Sequence, residues 1–218
     1  MLFRSPALHS FRLSRAVFSY GGHVIEYPTD LVIPAGAITL VSGSNGVGKS
    51  TLLDLLCGLK TPSSGQITIG EIPLSGVDPD ALVQHIGYME QQPVLFHTSI
   101  YANIALAKDQ ATDEEVLEAA TLAGLGPYLA ADPGFLPTSA GEMGKYVSAG
   151  QARMIALARI ILKDAPIWLL DEPTEGLDML AEQRMIELIL ANKGRKTIVL
   201  VTHKRHNFLL ADHHLHLP

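Results

Sequence analysis

Cysteine is almost absent: Cys57 is the single one in 218 residues, which excludes an internal disulfide. It falls at the end of an apolar helical pattern and reads as a small core residue, so an intracellular protein is expected. Long hydrophobic runs are missing too. Hydrophobic residues make up 47% of the chain, yet the runs at 154–162 and 167–170 are broken by Arg159 and by Lys163 with Asp164. None approaches the ~18 uninterrupted apolar residues of a membrane-spanning helix. The first ten residues, M-L-F-R-S-P-A-L-H-S, lack an apolar stretch and a small-residue cleavage site, so no signal peptide is expected. Basic runs stop at Lys204-Arg205-His206 and the net charge is −6, which argues against a nucleic-acid partner. There is no internal repeat. A chain of this size buries close to ~70% of its unfolded surface and can fold on packing alone.

What is present begins with G-S-N-G-V-G-K-S-T: Gly43, Ser44, Asn45, Gly46, Val47, Gly48, Lys49, Ser50 and Thr51. It follows the apolar run 37–41, which reads as a strand, and opens a helix over 50–57 with Gly58 as its stop. Glycines at these spacings let successive backbone N–H groups turn inward on phosphates, Lys49 reaches the outer ones, and the Ser50 hydroxyl is placed to ligate Mg²⁺. The helix aims the positive end of its dipole at the same anion.

Around this loop the pattern is β-rich. Short alternating runs at 11–13, 16–18, 24–27 and 31–33, with Gly21-Gly22 as a hairpin signal, are followed by 66–69 with Gly70 and Pro73 beyond. From 100 to 162 helical spacing takes over. Thr112 reads as an N-cap before three acidic residues, Gly124, Gly126 and Pro127 read as the end of that helix, and a further helix starts near Ser148. The unbroken apolar runs 167–170 and 198–201 read as parallel strands buried on both faces, and the helix expected over 179–191 makes them a βαβ unit. A last strand is expected over 211–217.

The strand 167–170 runs directly into Asp171-Glu172-Pro173-Thr174. Adjacent carboxylates at the C-terminal end of a central strand lie where ligands sit in open α/β sheets. Asp171 suits Mg²⁺ held through its water shell, and Glu172 suits a base that orients and deprotonates an attacking water.

With these motifs in order, the chain resembles the ATPase subunit or domain of the ATP-binding cassette (ABC) superfamily, from Phe18 to about Leu217. The fold so implied is an α/β P-loop NTPase: a parallel core sheet, an antiparallel β lobe and an inserted helical lobe. As one domain over 1–218, it would place the β lobe and core at about 1–90 and 163–218 and the helical lobe at about 92–162. Phe18-Ser19-Tyr20 resembles the aromatic loop, with Tyr20 stacked on adenine. Residues 88–93, Y-M-E-Q-Q-P, resemble the glutamine loop, with Gln91 rather than Gln92 as metal and water contact. Val147-Ser148-Ala149-Gly150-Gln151 resembles the signature motif, with Val147 and Ala149 in place of the usual leucine and first glycine, and Ala152, Arg153 and Met154 in place of the usual polar residues after it. Ser148, Ala149, Gly150 and Gln151 would face the nucleotide of a second cassette. Glu175-Gly176-Leu177-Asp178 resembles the loop that crosses the dimer interface, ending at Asp178; with Thr174 its form is like that of CydC-type cysteine and glutathione exporters. Thr202-His203, after the strand 198–201, resembles the switch histidine.

The resemblance implies ATP and Mg²⁺ as cofactors, with Ser50, Gln91 and Asp171 toward the metal and Glu172, His203 and Gln91 in catalysis. It also implies a homodimer or heterodimer of cassettes closing head to tail on ATP. Residues 95–104 and Gly141-Glu142-Met143-Gly144 resemble the exporter-type subclass, in which these stretches touch a membrane-domain subunit, with exposed apolar groups expected near Val94, Leu95 and Phe96. The expected place is the cytoplasmic face of the cell membrane. Rival readings are a soluble cassette acting in translation, repair or assembly, and a weakly hydrolysing regulatory cassette. Histidines 203, 206, 213, 214 and 216 invite a metal reading, but no carboxylate or cysteine cluster completes such a site.

Overall fold

The computed structural model describes residues 9–204 and 209–218; Arg205, His206 and the first eight residues of the N-terminal stretch read above lie outside them. Two compact units emerge. The first comprises the described residues of Met1–Tyr88 together with Pro166–Glu172 and Asn192–Pro218. The second comprises Met89–Ala165 and Pro173–Ala191.

The first unit carries two sheets. In one, β1 (Phe11–Tyr20) pairs antiparallel with β2 (His23–Glu26), β3 (Leu31–Ile33) and β5 (Ser64–Ile69), and β5 pairs with β6 (Ile72–Pro73). The two runs read separately at 11–13 and 16–18 are one strand. A bulge between Ser14 and Val17, with Arg15 at φ 49°, shifts the register and flips the alternation. Gly65 lies against it, its missing Cβ only 2.0 Å from the Arg15 carbonyl oxygen.

The other sheet runs β10 (His213–His216), β4 (Ile38–Ser42), β9 (Thr197–Val201), β8 (Ile167–Asp171) and β7 (Ile86–Met89), its first four strands parallel. Both β8 and β9 are buried along their whole length, as unbroken apolar runs require. Helix α1 (Lys49–Leu56) stops at Gly58, φ 79°. Its Leu52, Leu53, Leu55 and Leu56 pack with Phe11, Leu13, Ile69, Leu169 and Val199 in a core that both sheets share. Cys57 is half-buried against that core. Helix α2 (Pro79–His85), too short to show an apolar period, begins at the Asp78 cap.

The second unit is helical: α3 (Ile100–Ala105), α4 (Asp113–Ala120), α5 (Gly126–Ala131), α6 (Ala149–Lys163) and α7 (Met179–Ala191). Thr112 caps α4 in a reciprocal pair with Glu115. Gly124, at φ 100°, breaks the chain after α4 as expected. Gly126 and Pro127 instead start α5, because proline suits a first helical turn, where its missing N–H is not needed. Helix α6 packs against α3, α4 and the 121–125 turn, and α7 against that turn. These contacts group α7 with the helical unit, whereas the sequence pattern assigns 173–191 to the βαβ core.

Candidate active site

In the first unit, β4 delivers the chain into the Gly43 loop and β8 and β9 end beside one another. Gly43 adopts φ 147°, and a Cβ there would lie 2.7 Å from the Leu217 carbonyl oxygen. Gly48 adopts φ 105°, and a Cβ would lie 2.8 Å from the Ile25 side chain. The Tyr27 hydroxyl donates to the Gly48 carbonyl at 3.0 Å. Only glycine fits either position, in conformation and in space. No side chain caps α1, so the N–H groups of its first turn remain for an anion.

Lys49 is buried, its ammonium donating to the Gly43 and Ser44 carbonyls at 2.9 and 2.8 Å. Burial pushes its pKa down, while the Glu172 and Asp171 carboxylates pull it back up. Ser44, Asn45, Gly46 and Ser50 are exposed, whereas Val47 and Thr51 are half-buried. The loop therefore offers backbone and hydroxyl groups outward over a sealed glycine floor.

Asp171 ends β8 and is buried; Glu172 follows with its backbone turned to φ 49° and its N–H donating to Val201. That turn directs the chain away from the sheet and leaves the Glu172 carboxylate beside the end of β9, where it accepts from the Thr202 side chain and the His203 N–H. Its Oε1 is buried and has no hydrogen-bond partner. The half-exposed His203 imidazole brings Nε2 within 3.3 Å of that oxygen, an ion-pair distance without hydrogen-bond alignment. Desolvation holds the Glu172 pKa above the ordinary carboxylate value; His203 opposes the shift and Asp171 adds to it. A carboxylate with a raised pKa and an unsatisfied oxygen is a group prepared to take a proton. Tyr20, at the end of β1, is 79% exposed, its ring open to a stacking partner.

The second unit carries the remaining residues. Ser148 caps α6: its hydroxyl accepts from the Gln151 N–H at 3.1 Å, and the Gln151 amide oxygen accepts from the Ser148 N–H at 2.8 Å. Ala149, where the resemblance leads one to expect a glycine, is exposed. Gly150 faces Leu177 and the Gly176 carbonyl, 3.4 and 3.5 Å from where its Cβ would stand. Asp178 accepts from the Ala181 N–H at 2.8 Å, the role of an N-cap for α7. Gln91 is exposed, and its amide donates to Glu175 at 3.4 Å.

Of the apolar groups expected at the surface, Val94 and Phe96 are exposed but Leu95 is buried, lying under Gly144. The loop is stapled from within. Arg159 donates to the Val94 and Asn103 carbonyls and to the Asn103 side chain, and its guanidinium lies 5.9 Å from the Phe96 ring centre. Met143 and Tyr146 are exposed as well. Arg159 and Arg153 are functional candidates that the sequence reading gave no role: Arg159 reads there as a break in an apolar run, and Arg153 as a departure from the usual residues after the signature-like motif.

A parallel sheet whose strand enters a glycine loop and helix, with paired acids ending another strand, defines a P-loop NTPase. Residues 28–175 match the family model described as ABC transporter, and the chain belongs to that family. It is 37% identical over 195 residues to a probable ABC transporter ATP-binding/permease protein of Haemophilus influenzae, covering 89% of this chain and 35% of that protein. It is also 37% identical over 182 residues to the mitochondrial iron-sulfur clusters transporter ATM1 of Saccharomyces cerevisiae, covering 83% and 26%. The solved structure of a bacterial Atm1-family ABC exporter with ATP bound superposes with a TM-score of 0.93 at 30% identity, covering all of this chain and 38% of that one. The chain thus spans 26% to 38% of the length of these relatives. No helix among the described residues is long and apolar enough to cross a membrane.

Proposed function

We propose that the chain binds and hydrolyses ATP to power an exporter-type membrane transporter, acting as one of a head-to-tail pair of cassettes at the cytoplasmic face of the membrane. The observation that carries the reading is the buried Glu172 carboxylate, with its orphaned Oε1, at the end of β8 in the unit that also holds Lys49 and the glycine loop. Likeness to transport proteins over nearly the whole chain favours this over a soluble cassette. The CydC-like form of 174–178 supports a member of that subclass, and the exposed Val94, Phe96, Met143 and Tyr146 support a membrane-domain partner on the helical unit.

In this mechanism the loop N–H groups and Lys49 hold the phosphates, and Tyr20 stacks on the adenine. Glu172 takes a proton from water as the water oxygen bonds to the γ-phosphorus and the bond to ADP breaks. His203, 3.3 Å from that carboxylate, orients it and the departing phosphate. Ser148, Ala149, Gly150, Gln151 and Asp178 would complete the partner cassette's site. Ser50 and Asp171 in the first unit, and Gln91 in the second, would each offer Mg²⁺ an oxygen, the donor type it takes, and the buried Asp171 carboxylate would gain a counter-charge. An ion held there would supply positive charge to offset that of the phosphates.

Glu172→Gln tests the reading. Turnover falls by about 100-fold or more while nucleotide affinity persists and ATP holds a closed dimer on size exclusion. Turnover at the parent rate would remove Glu172 from the role of base.

A further inference from the structure

The start of α6, the glutamine loop and the crossing loop lie far apart in sequence, yet one side chain in the helical unit holds all of them. The Arg153 side chain is 8% exposed. One terminal nitrogen donates to the Gln91 carbonyl at 3.1 Å and to Glu175 Oε2 at 3.2 Å. The other reaches the Ala149 carbonyl at 3.5 Å and would lie 3.5 Å from a Cβ on Gly176. Glu175 Oε2 in turn accepts from the Gln91 amide at 3.4 Å. Gln91 is thus gripped twice, at its backbone by Arg153 directly and at its side chain through Glu175.

The chemistry explains why arginine is needed. A guanidinium presents donors in a rigid planar fork that can serve several acceptors at once, whereas an ammonium acts as a point charge. Burying that charge is tolerable only where acceptors surround it, and here two backbone carbonyls and one carboxylate do so. Arg153 Nε, buried and without a partner, shows that the side chain is drawn toward these three acceptors at the expense of its own remaining donor. Holding the Gln91 amide nitrogen on Glu175 also leaves the amide oxygen as the end available to a cation or water.

We infer that Arg153 is a positioning residue: with Glu175 it locks Gln91 and the crossing loop to the start of α6, so that glutamine, crossing loop and signature serine move as one body. The inference rests on the ATPase reading above and adds the device that coordinates its second-unit residues.

Two measurements on the full chain test it. In steady-state hydrolysis, Glu175→Ala and Arg153→Ala each lower kcat by about tenfold with KM for ATP within about twofold, and the double variant loses no more than the worse single one. Arg153→Lys, which keeps the charge without the fork, fails to restore kcat. Additive losses, or kcat within twofold of the parent in both single variants, would overturn the inference. In nucleotide-free hydrogen exchange, Glu175→Ala speeds exchange in the segment 89–93 and leaves 43–51 unchanged. Because Glu175 is more than half exposed, that variant is expected to fold as the parent does. Unaltered exchange at 89–93 overturns the lock. A parent chain that neither binds nor hydrolyses ATP would defeat the ATPase reading, and the exchange result would still decide the lock.

Discussion

The two units build their sites by opposite means. In the first, position is set by backbone: Gly43 and Gly48 stand where no Cβ fits, and Asp171 and Glu172 are fixed by the strands that end in them. In the second, position is set by side chains: exposed Gln91, Ser148 and Glu175 are held by capping pairs and by one buried guanidinium. Backbone-built sites break sharply when a single atom is added. Side-chain networks lose their parts by degrees, and the losses are not additive.

The sharpest break is expected at the glycine floor. Gly43→Ala adds a methyl within 2.7 Å of a backbone oxygen, in a conformation that alanine avoids. Strain of about 1–3 kcal/mol should lower Tm by several degrees and nucleotide affinity by about tenfold or more. Alanine there with parent affinity would mean that the loop bends freely. Calorimetry together with nucleotide titration reads both quantities.

A medium effect is expected from Glu172, and its sign is set by burial. Because the folded chain holds this carboxyl above its ordinary 4.5, its contribution to stability is present below that value and lost as pH rises through the folded pKa. Glu172→Gln should therefore melt about 2–4 °C above the parent at pH 8, for each kcal/mol of burial penalty removed, with the gap closing toward pH 4.5. A gap that widens as the pH falls would show a carboxylate stabilised rather than penalised by its surroundings.

The smallest effect compares two helix caps. Ser148→Ala and Thr112→Ala each delete a reciprocal capping pair and should each cost about 1 kcal/mol, read as a small fall in Tm. Only the Ser148 variant should also lose ATP turnover. Equal turnover in both would reduce Ser148 to a cap.

Much of the first unit was legible in the sequence because its constraints are local. Glycine spacing, apolar runs and the acids ending 167–170 each follow from chain-neighbour chemistry. The β1 bulge escaped because Arg15 is no glycine, although it takes a positive φ. In the second unit, the Thr112 and Ser148 caps were legible for the same local reason. Leu95 was misplaced because burial in a loop has no period, and Gly144 above it is distant in sequence. Arg153 and Arg159 were unreadable as clamps because their acceptors are mainly backbone carbonyls, which leave no trace in residue identity.

Glu172 occupies a left-handed backbone position that glycine or asparagine would fill with less strain. Variants chosen for thermal endurance alone should thus drift toward glycine at this site, gaining a relaxed turn while discarding the carboxylate. A library screened only by heat would then enrich for chains that survive and do no work, which makes residue 172 a sensitive place to watch endurance and activity part company.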